Sequence, residues 1–331
     1  VTSKHRSPHK TVKTSAITLH WRRAAISIAL GACASTATRN IQQHVEMYAV
    51  NAQGASTADN ARVATPHSFT GRMCAASRWI ESRRPDSLFD EPQAYKLAGA
   101  EGRAQPMGDW IMVPRTRFGD DFLAAHYARG ARQLVLLGAG FDARAFRLVG
   151  LDDLQVFEVD QLTTFTVKEP LLKDEKLTVG ARKVVATEFT ERSRWSHDLE
   201  ASGFNTSVPT VWLLEGLLMY LKLEDTKALM TEMGRLSAAG SAVFHDACSA
   251  NYVAAGRGPV VGGAKFLGGS DEYGTLWAMH AGFNSSYVRN FESISVDRAN
   301  RRVLIDERYP EATADQCQGR NVVLFVTAQK D

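Results

Sequence analysis

The stretch Gln133–Leu148, QLVLLGAGFDARAFRL, constrains the fold more than any other part of the chain. An apolar run ends in Gly138-Ala139-Gly140 and passes directly into a segment rich in Ala and Arg. That is the pattern of a buried parallel strand, a glycine turn and a helix N-terminus. About twenty residues on, a second apolar segment, Gln155–Asp160 (QVFEVD), ends in an acid. Glycines at such a turn let the backbone approach a ligand, and an acid closing the next strand suits a ribose diol. The pair points to a nucleoside-bearing cofactor without saying which; a tight connection with no ligand is the plainer alternative.

Elements of the same kind recur along the chain. Helices are predicted over Thr70–Ser82, with Met73, Ala76, Trp79 and Ile80 at helical spacing, and around Asp90–Ala98. Gly99–Gly108 reads as loop, and Pro114–Arg129 as a helix with proline at its start. Strands follow at Gln133–Leu137, Gln155–Val159, Lys183–Thr187, Val208–Leu214, Ala242–Ala247 and Val322–Thr327. Helical segments separate several of them, from Gln161 to Lys173 and again from Leu217 to Leu229. Such alternation predicts an α/β fold with a mostly parallel, doubly wound sheet.

In a sheet of that kind, ligands sit beyond the carboxyl ends of the strands. Asp160, Glu188 and Glu215 each fall at or just past a strand end, and His245 and Asp246 lie near the end of the fifth strand. One such acid is ordinarily a solvated loop residue; three on consecutive strands suggest a shared ligand. Arg115, near a predicted helix start, either clamps a ligand carboxylate or joins Arg117, Asp120 and Asp121 in surface ion pairs.

Charge separates the body from what precedes it. The 331 residues carry a net charge of +3, yet residues 1–46 hold seven Lys/Arg and one acid, leaving 32 basic against 35 acidic residues elsewhere. The body is therefore not expected to bind nucleic acid. No apolar run is long enough to cross a bilayer. Cys33, Cys74, Cys248 and Cys317 are widely spaced with no C-x-x-C, which suits reduced thiols inside a cell and no structural metal. Residues 1–61 are expected to lie outside the fold. The first 46 of them, rich in Ser, Thr, Ala and basic residues, read as an organellar or weak secretory targeting segment, as disorder, or as spurious upstream sequence. Residues 62–331 then form one domain. A helical cap occupies 62–130, and the glycine-rich segment Asn251–Ser270 is either a mobile lid that closes over an acceptor through Lys265, Phe266 and Leu267 or a surface loop of no consequence.

Five ordered blocks carry a resemblance. Ile80–Phe89 (IESRRPDSLF), Arg115–Asp121 (RTRFGDD), Leu136–Leu148 (LLGAGFDARAFRL), Phe157–Gln161 (FEVDQ) and Thr210–Leu221 (TVWLLEGLLMYL) resemble the bacterial-type branch of the leucine carboxyl methyltransferase superfamily. The resemblance implies a class I methyltransferase fold, Rossmann-like with seven strands, and S-adenosyl-L-methionine as cofactor. It implies that Arg115 pairs with the methionine carboxylate and Glu215 lies near its amino group. Gly138 and Gly140 would pack on the methionyl moiety, Asp160 would bind the ribose, and Glu188 would meet the adenine amino group with Phe189 beside the ring. That last pair departs from the branch, where Asp-Leu is common, but keeps an apolar wall.

The reaction implied is methyl transfer to a carboxylate or hydroxyl oxygen of a small molecule or peptide. A carboxylate needs no general base; for a hydroxyl, Tyr220 and His245 are the candidates. A nicotinamide-dependent oxidoreductase would use the same glycine turn and Asp160, and a non-catalytic protein retaining the cofactor fold is a further alternative.

Overall fold

The computed structural model describes residues 66–189, 194–256, 264–305 and 323–331. The chain divides into two units, Val1–Val63 and Ala64–Asp331. The leader expected over 1–61 lies outside the described residues.

Three helices open the second unit: α1 (Pro66–Ser82), α2 (Ala94–Ala104) and α3 (Asp109–Ala128). Two of them differ from expectation. Gly99 adopts φ 61° and kinks α2, which then continues to Ala104, so the predicted loop is shorter. Pro114 lies inside α3 rather than at its start, because the helix begins five residues earlier at Asp109. A proline there removes one backbone hydrogen bond, and the helix tolerates this because its face is buried: Ile111, Met112, Val113 and Arg115 are all inaccessible.

The sheet begins with β1 (Gln133–Leu137), β2 (Leu151–Asp160) and β3 (Val179–Ala186), with α4 (Leu162–Leu172) between the last two. Next come α5 (Arg194–Ala201), β4 (Thr210–Leu214), α6 (Leu223–Leu236) and β5 (Ala242–Cys248). The region predicted to be helical from Leu217 is instead a short 3-10 turn, Leu218–Tyr220, and α6 starts only at Leu223. The chain continues through α7 (Ala250–Ala254), α8 (Tyr273–Ala281) and β6 (Ser285–Asn290). A small hairpin, β7 (Ile294–Asp297) with β8 (Arg302–Ile305), precedes β9 (Val323–Gln329).

Seven strands pair in the order β3-β2-β1-β4-β5-β9-β6. The first five are mutually parallel, and β9 runs antiparallel to both neighbours. Strand order therefore reverses between β1 and β4, where a crevice opens beyond the carboxyl ends.

Alternating side chains split the core in two. Leu134, Leu136, Val211, Leu213 and Phe244 face one side, packed with residues of α1, α2 and α3. Val135, Leu137, Trp212, Leu214 and Val243 face the other, against Trp195, Met230, Met233 and Trp277 from α5, α6 and α8. No helix among the described residues is long and apolar enough to cross a membrane.

Candidate functional site

At the switch point lies a cavity of about 360 Å³, within the usual range for small-molecule sites. Arg115, Gly138, Gly140, Asp160, Glu188, Phe189, Glu215 and Tyr220 all line it, so eight of the nine site residues expected from sequence converge on one space.

The glycine turn leaves β1 with φ 71° at Gly138 and 47° at Gly140, conformations that side-chain-bearing residues rarely adopt. The Gly138 amide donates to the Val159 carbonyl (2.9 Å), and the Gly140 amide donates to Asp160 Oδ2 (2.7 Å). Asp160 Oδ1 accepts from the Gln161 amide (2.7 Å) and the Thr164 hydroxyl (2.9 Å). Burial raises the Asp160 carboxyl above its ordinary range, and these three donors oppose that rise without cancelling it. Oδ1 is filled by its two donors, whereas Oδ2 accepts one and retains a free lone pair for a ligand hydroxyl. Glu188 is exposed and accepts from the Gln161 side-chain amide (3.0 Å), and Phe189 packs against the core beneath it.

Beneath the cavity runs a chain of buried charges. Arg115 Nη1 donates to Asp246 Oδ2 (2.8 Å), and Asp246 Oδ1 accepts from the Gly216 amide (2.6 Å). Arg115 Nε approaches Glu215 Oε2 at 3.4 Å but makes no hydrogen bond, and so is a buried donor without a partner. Glu215 Oε1 accepts from Arg144 Nη2 (2.7 Å), and Arg144 also binds Asp120 (2.8 Å) and Asp142. Arg147 links Asp120 (2.7 Å) to Glu91 (2.9 Å), which holds Arg78 (2.8 Å). Arg144 is 1% exposed. Burial opposes the charge on Arg115, but Asp246, Cys74 and Glu215 together outweigh it and the guanidinium stays firmly protonated. Asp142 is driven down to about 2, since Arg144, Arg78, Lys168 and Arg147 together overcome the cost of its burial. Glu215 shows the reverse balance: burial prevails over Arg144 and Arg115 and raises it.

Sequence reasoning missed most of this network. Sequence pattern assigns Arg144 and Asp142 no role, and Asp120 enters only in the surface ion-pair alternative. Only Arg117–Asp121 is the predicted i,i+4 pair, at 2.7 Å. The partners of Arg144 at Asp120 and Glu215 lie on other elements, and no local spacing announces them.

His245 requires a correction. It does not line the cavity. The ring is fully buried on the opposite face of β5, and its Nε2 accepts from the Trp277 indole (2.9 Å). Burial lowers it to about 4, so it is neutral at ordinary pH. Strand alternation is the reason: on β5, adjacent residues point to opposite faces, and Asp246 is the one that reaches the site. Tyr220 does line the cavity, with its hydroxyl paired to Thr70, but burial pushes it up to about 12.

The lid expectation falls partly outside the described residues, at 257–263. The part that follows is tied down. The Leu267 amide donates to the Met219 carbonyl (2.7 Å), and the Ser270 amide to that of Cys248 (3.1 Å). A Cβ on Gly268 would collide with the Leu221 carbonyl oxygen, so this glycine permits close backbone packing rather than motion. Phe266 lines the cavity, edge-on to Tyr220 at 5.3 Å, whereas Lys265 is exposed and does not line it.

A parallel five-stranded run, a reversed strand inserted before the seventh, and a glycine turn at the switch point together define the class I methyltransferase fold. Residues 71–234 match the family model for leucine carboxyl methyltransferase. A Parafrankia sp. protein assigned by name to the S-adenosyl-L-methionine-dependent methyltransferases is 38% identical over 190 residues, covering 52% of this chain and 61% of the relative. A Streptomyces coelicolor protein assigned likewise is 40% identical over 198 residues, 54% of this chain and 65% of its own length. One from Mycobacterium sp. (strain KMS) is 35% identical over 212 residues, 56% of this chain and 68% of the relative. The chain belongs to the leucine carboxyl methyltransferase family. It spans about six tenths of the length of the first two of these relatives.

Proposed function

We propose that the chain is an S-adenosyl-L-methionine-dependent methyltransferase that methylates a carboxylate or hydroxyl oxygen of a small molecule or peptide. The observation that carries this reading is the convergence of the glycine turn, Asp160 and the Arg115–Glu215 pair on one cavity at the switch point. The donor set suits the cofactor's parts. The unpartnered Nε–H of Arg115 offers a hydrogen bond to the methionine carboxylate, and Glu215 offers an acceptor to its amino group. Asp160 suits the ribose diol. Glu188 and Phe189 suit the adenine edge and face.

When bound, the cofactor supplies an electrophilic methyl group. The protein's task is then to hold the acceptor oxygen in line and exclude water. Tyr220, raised to about 12, keeps its proton at neutral pH and acts as a hydrogen-bond donor instead of a base. An acceptor carboxylate is ionised without help, so these residues support it better than a hydroxyl.

S-Adenosylhomocysteine at a hundredfold excess over its dissociation constant should stabilise the folded protein by about 2.7 kcal/mol, and NAD should not. Thermal shift measures both. A shift with NAD alone would overturn the reading in favour of an oxidoreductase.

A further inference from the structure

The cavity has two chemically distinct linings. The strand ends contribute glycines and acids. The helical cap and the segments after β4 and β5 contribute Trp110, Tyr220, Tyr252 and Phe266, with Met107, Met112 and Met219 among them. The cap also contributes Arg78 and Arg115, so the uncharged lining is confined to these aromatic and thioether side chains. Trp110 stands edge-on to Phe291 at 5.3 Å and is 59% exposed, so much of its ring stays accessible at the cavity. Phe266 and Tyr220 form a perpendicular pair, at 84°. Aromatic edges and polarisable thioethers together favour a flat π-system over a saturated one of equal size.

Charge narrows the ligand further. The basic side chains lining the cavity are Arg78, Arg115 and Arg144, and each is held by a carboxylate at 2.8 Å or less: Glu91, Asp246 and Glu215 respectively. A second anionic group on the acceptor, such as a phosphate or an acidic side chain, therefore meets no free cation among the described residues.

We infer that the acceptor is a flat aromatic molecule presenting one carboxylate or phenolic oxygen and no further charge, with Trp110 and Phe266 as its specificity-determining residues. This rests on the methyltransferase reading above but is tested by binding alone. Calorimetric titration of the full chain with 2-naphthoate, 2-naphthol, decahydro-2-naphthoate and 2-naphthyl phosphate, with and without S-adenosylhomocysteine, separates the terms. The better aromatic probe should bind about tenfold more tightly than the saturated one, the scale expected of one good aromatic contact. The phosphate should bind more weakly than 2-naphthoate. Trp110→Ala and Phe266→Ala should each weaken the aromatic probe roughly fivefold while leaving S-adenosylhomocysteine affinity unchanged. Equal affinity for the saturated acid, tighter binding of the phosphate, or wild-type affinity in both variants overturns the inference. Absence of S-adenosylhomocysteine binding overturns the methyltransferase reading instead, and the naphthyl titrations still decide this one.

Discussion

His245 and Asp246 are neighbours on β5, yet they belong to regions that bury polar groups in opposite ways. On the face of Asp246, four arginines and five carboxylates interlock beneath the cavity, each charge answered by another. On the face of His245, the ring packs on Tyr273 and Trp277, its Nε2 accepts from the Trp277 indole, and its Nδ1 lies 3.4 Å from the Asp246 carbonyl. The first arrangement ties the cap to strand ends far away in sequence, and it fails badly if one member is lost. The second is a dry aromatic core that depends on a ring staying uncharged. A ligand site built on the first gains fixed geometry; the second supplies the rigid backing behind the sheet.

The sharpest way to break the contrast is Arg144→Leu. It leaves Asp120, Asp142 and Glu215 buried beside an apolar side chain, and removing one partner from a buried ion pair costs about 3–5 kcal/mol. Urea unfolding should show a loss of that size. A loss under 1 kcal/mol would mean that water reaches these carboxylates.

The next effect belongs to the aromatic face and appears as pH dependence. Buried His245 has its pKa lowered from 6.5 to about 4, so the unfolded chain binds its proton first. Its contribution to stability is complete above pH 6.5 and is lost as pH falls towards 4, about 3 kcal/mol in all. His245→Gln, which can still accept from Trp277, should flatten the stability profile across that window. The charged face responds at lower pH. Asp142, lowered from 3.8 to about 2, loses its contribution only below about 3.8, and the raised Glu215 acts in the opposite sense. An unaltered slope in the variant would reassign the mid-acid transition to other groups, such as His126, which burial also lowers to about 4.

The smallest expected change is in binding. Asp160→Ala removes an acceptor that also holds the Gly140 amide. Charge-assisted hydrogen bonds are worth about 1.5–3 kcal/mol, so S-adenosylhomocysteine should bind about 10- to 150-fold more weakly while the protein stays folded. Calorimetry of the mutant and wild type checks both; equal affinities would leave Asp160 a role only in the turn.

What could be read from the sequence follows the same division. The glycine turn and the strand-end acids are local patterns, each compressed into a few residues, and eight expected site residues do meet. The charge network is assembled from pairs up to 131 residues apart, such as Arg115 with Asp246, and no window of sequence contains it. Residue type makes His245 a candidate base, but strand parity puts Asp246 on the site's side of β5. Val243, His245 and Ala247 share a face with Trp212's neighbours, whereas Phe244 and Asp246 face the cap. The helix start at Asp109 was hidden because Pro114 marks helix starts far more often than interiors.

The place of β9 has a consequence for how the molecule assembles during synthesis. β6 is made before β9 but touches the sheet only through it, since the order runs β5-β9-β6. Until β9 emerges and docks, β5 presents an open edge and β6 has no partner in the main sheet. The five parallel strands and the cavity's strand ends can therefore organise first, while the last third of the sheet waits on a late, long-range closure of the kind that slows folding.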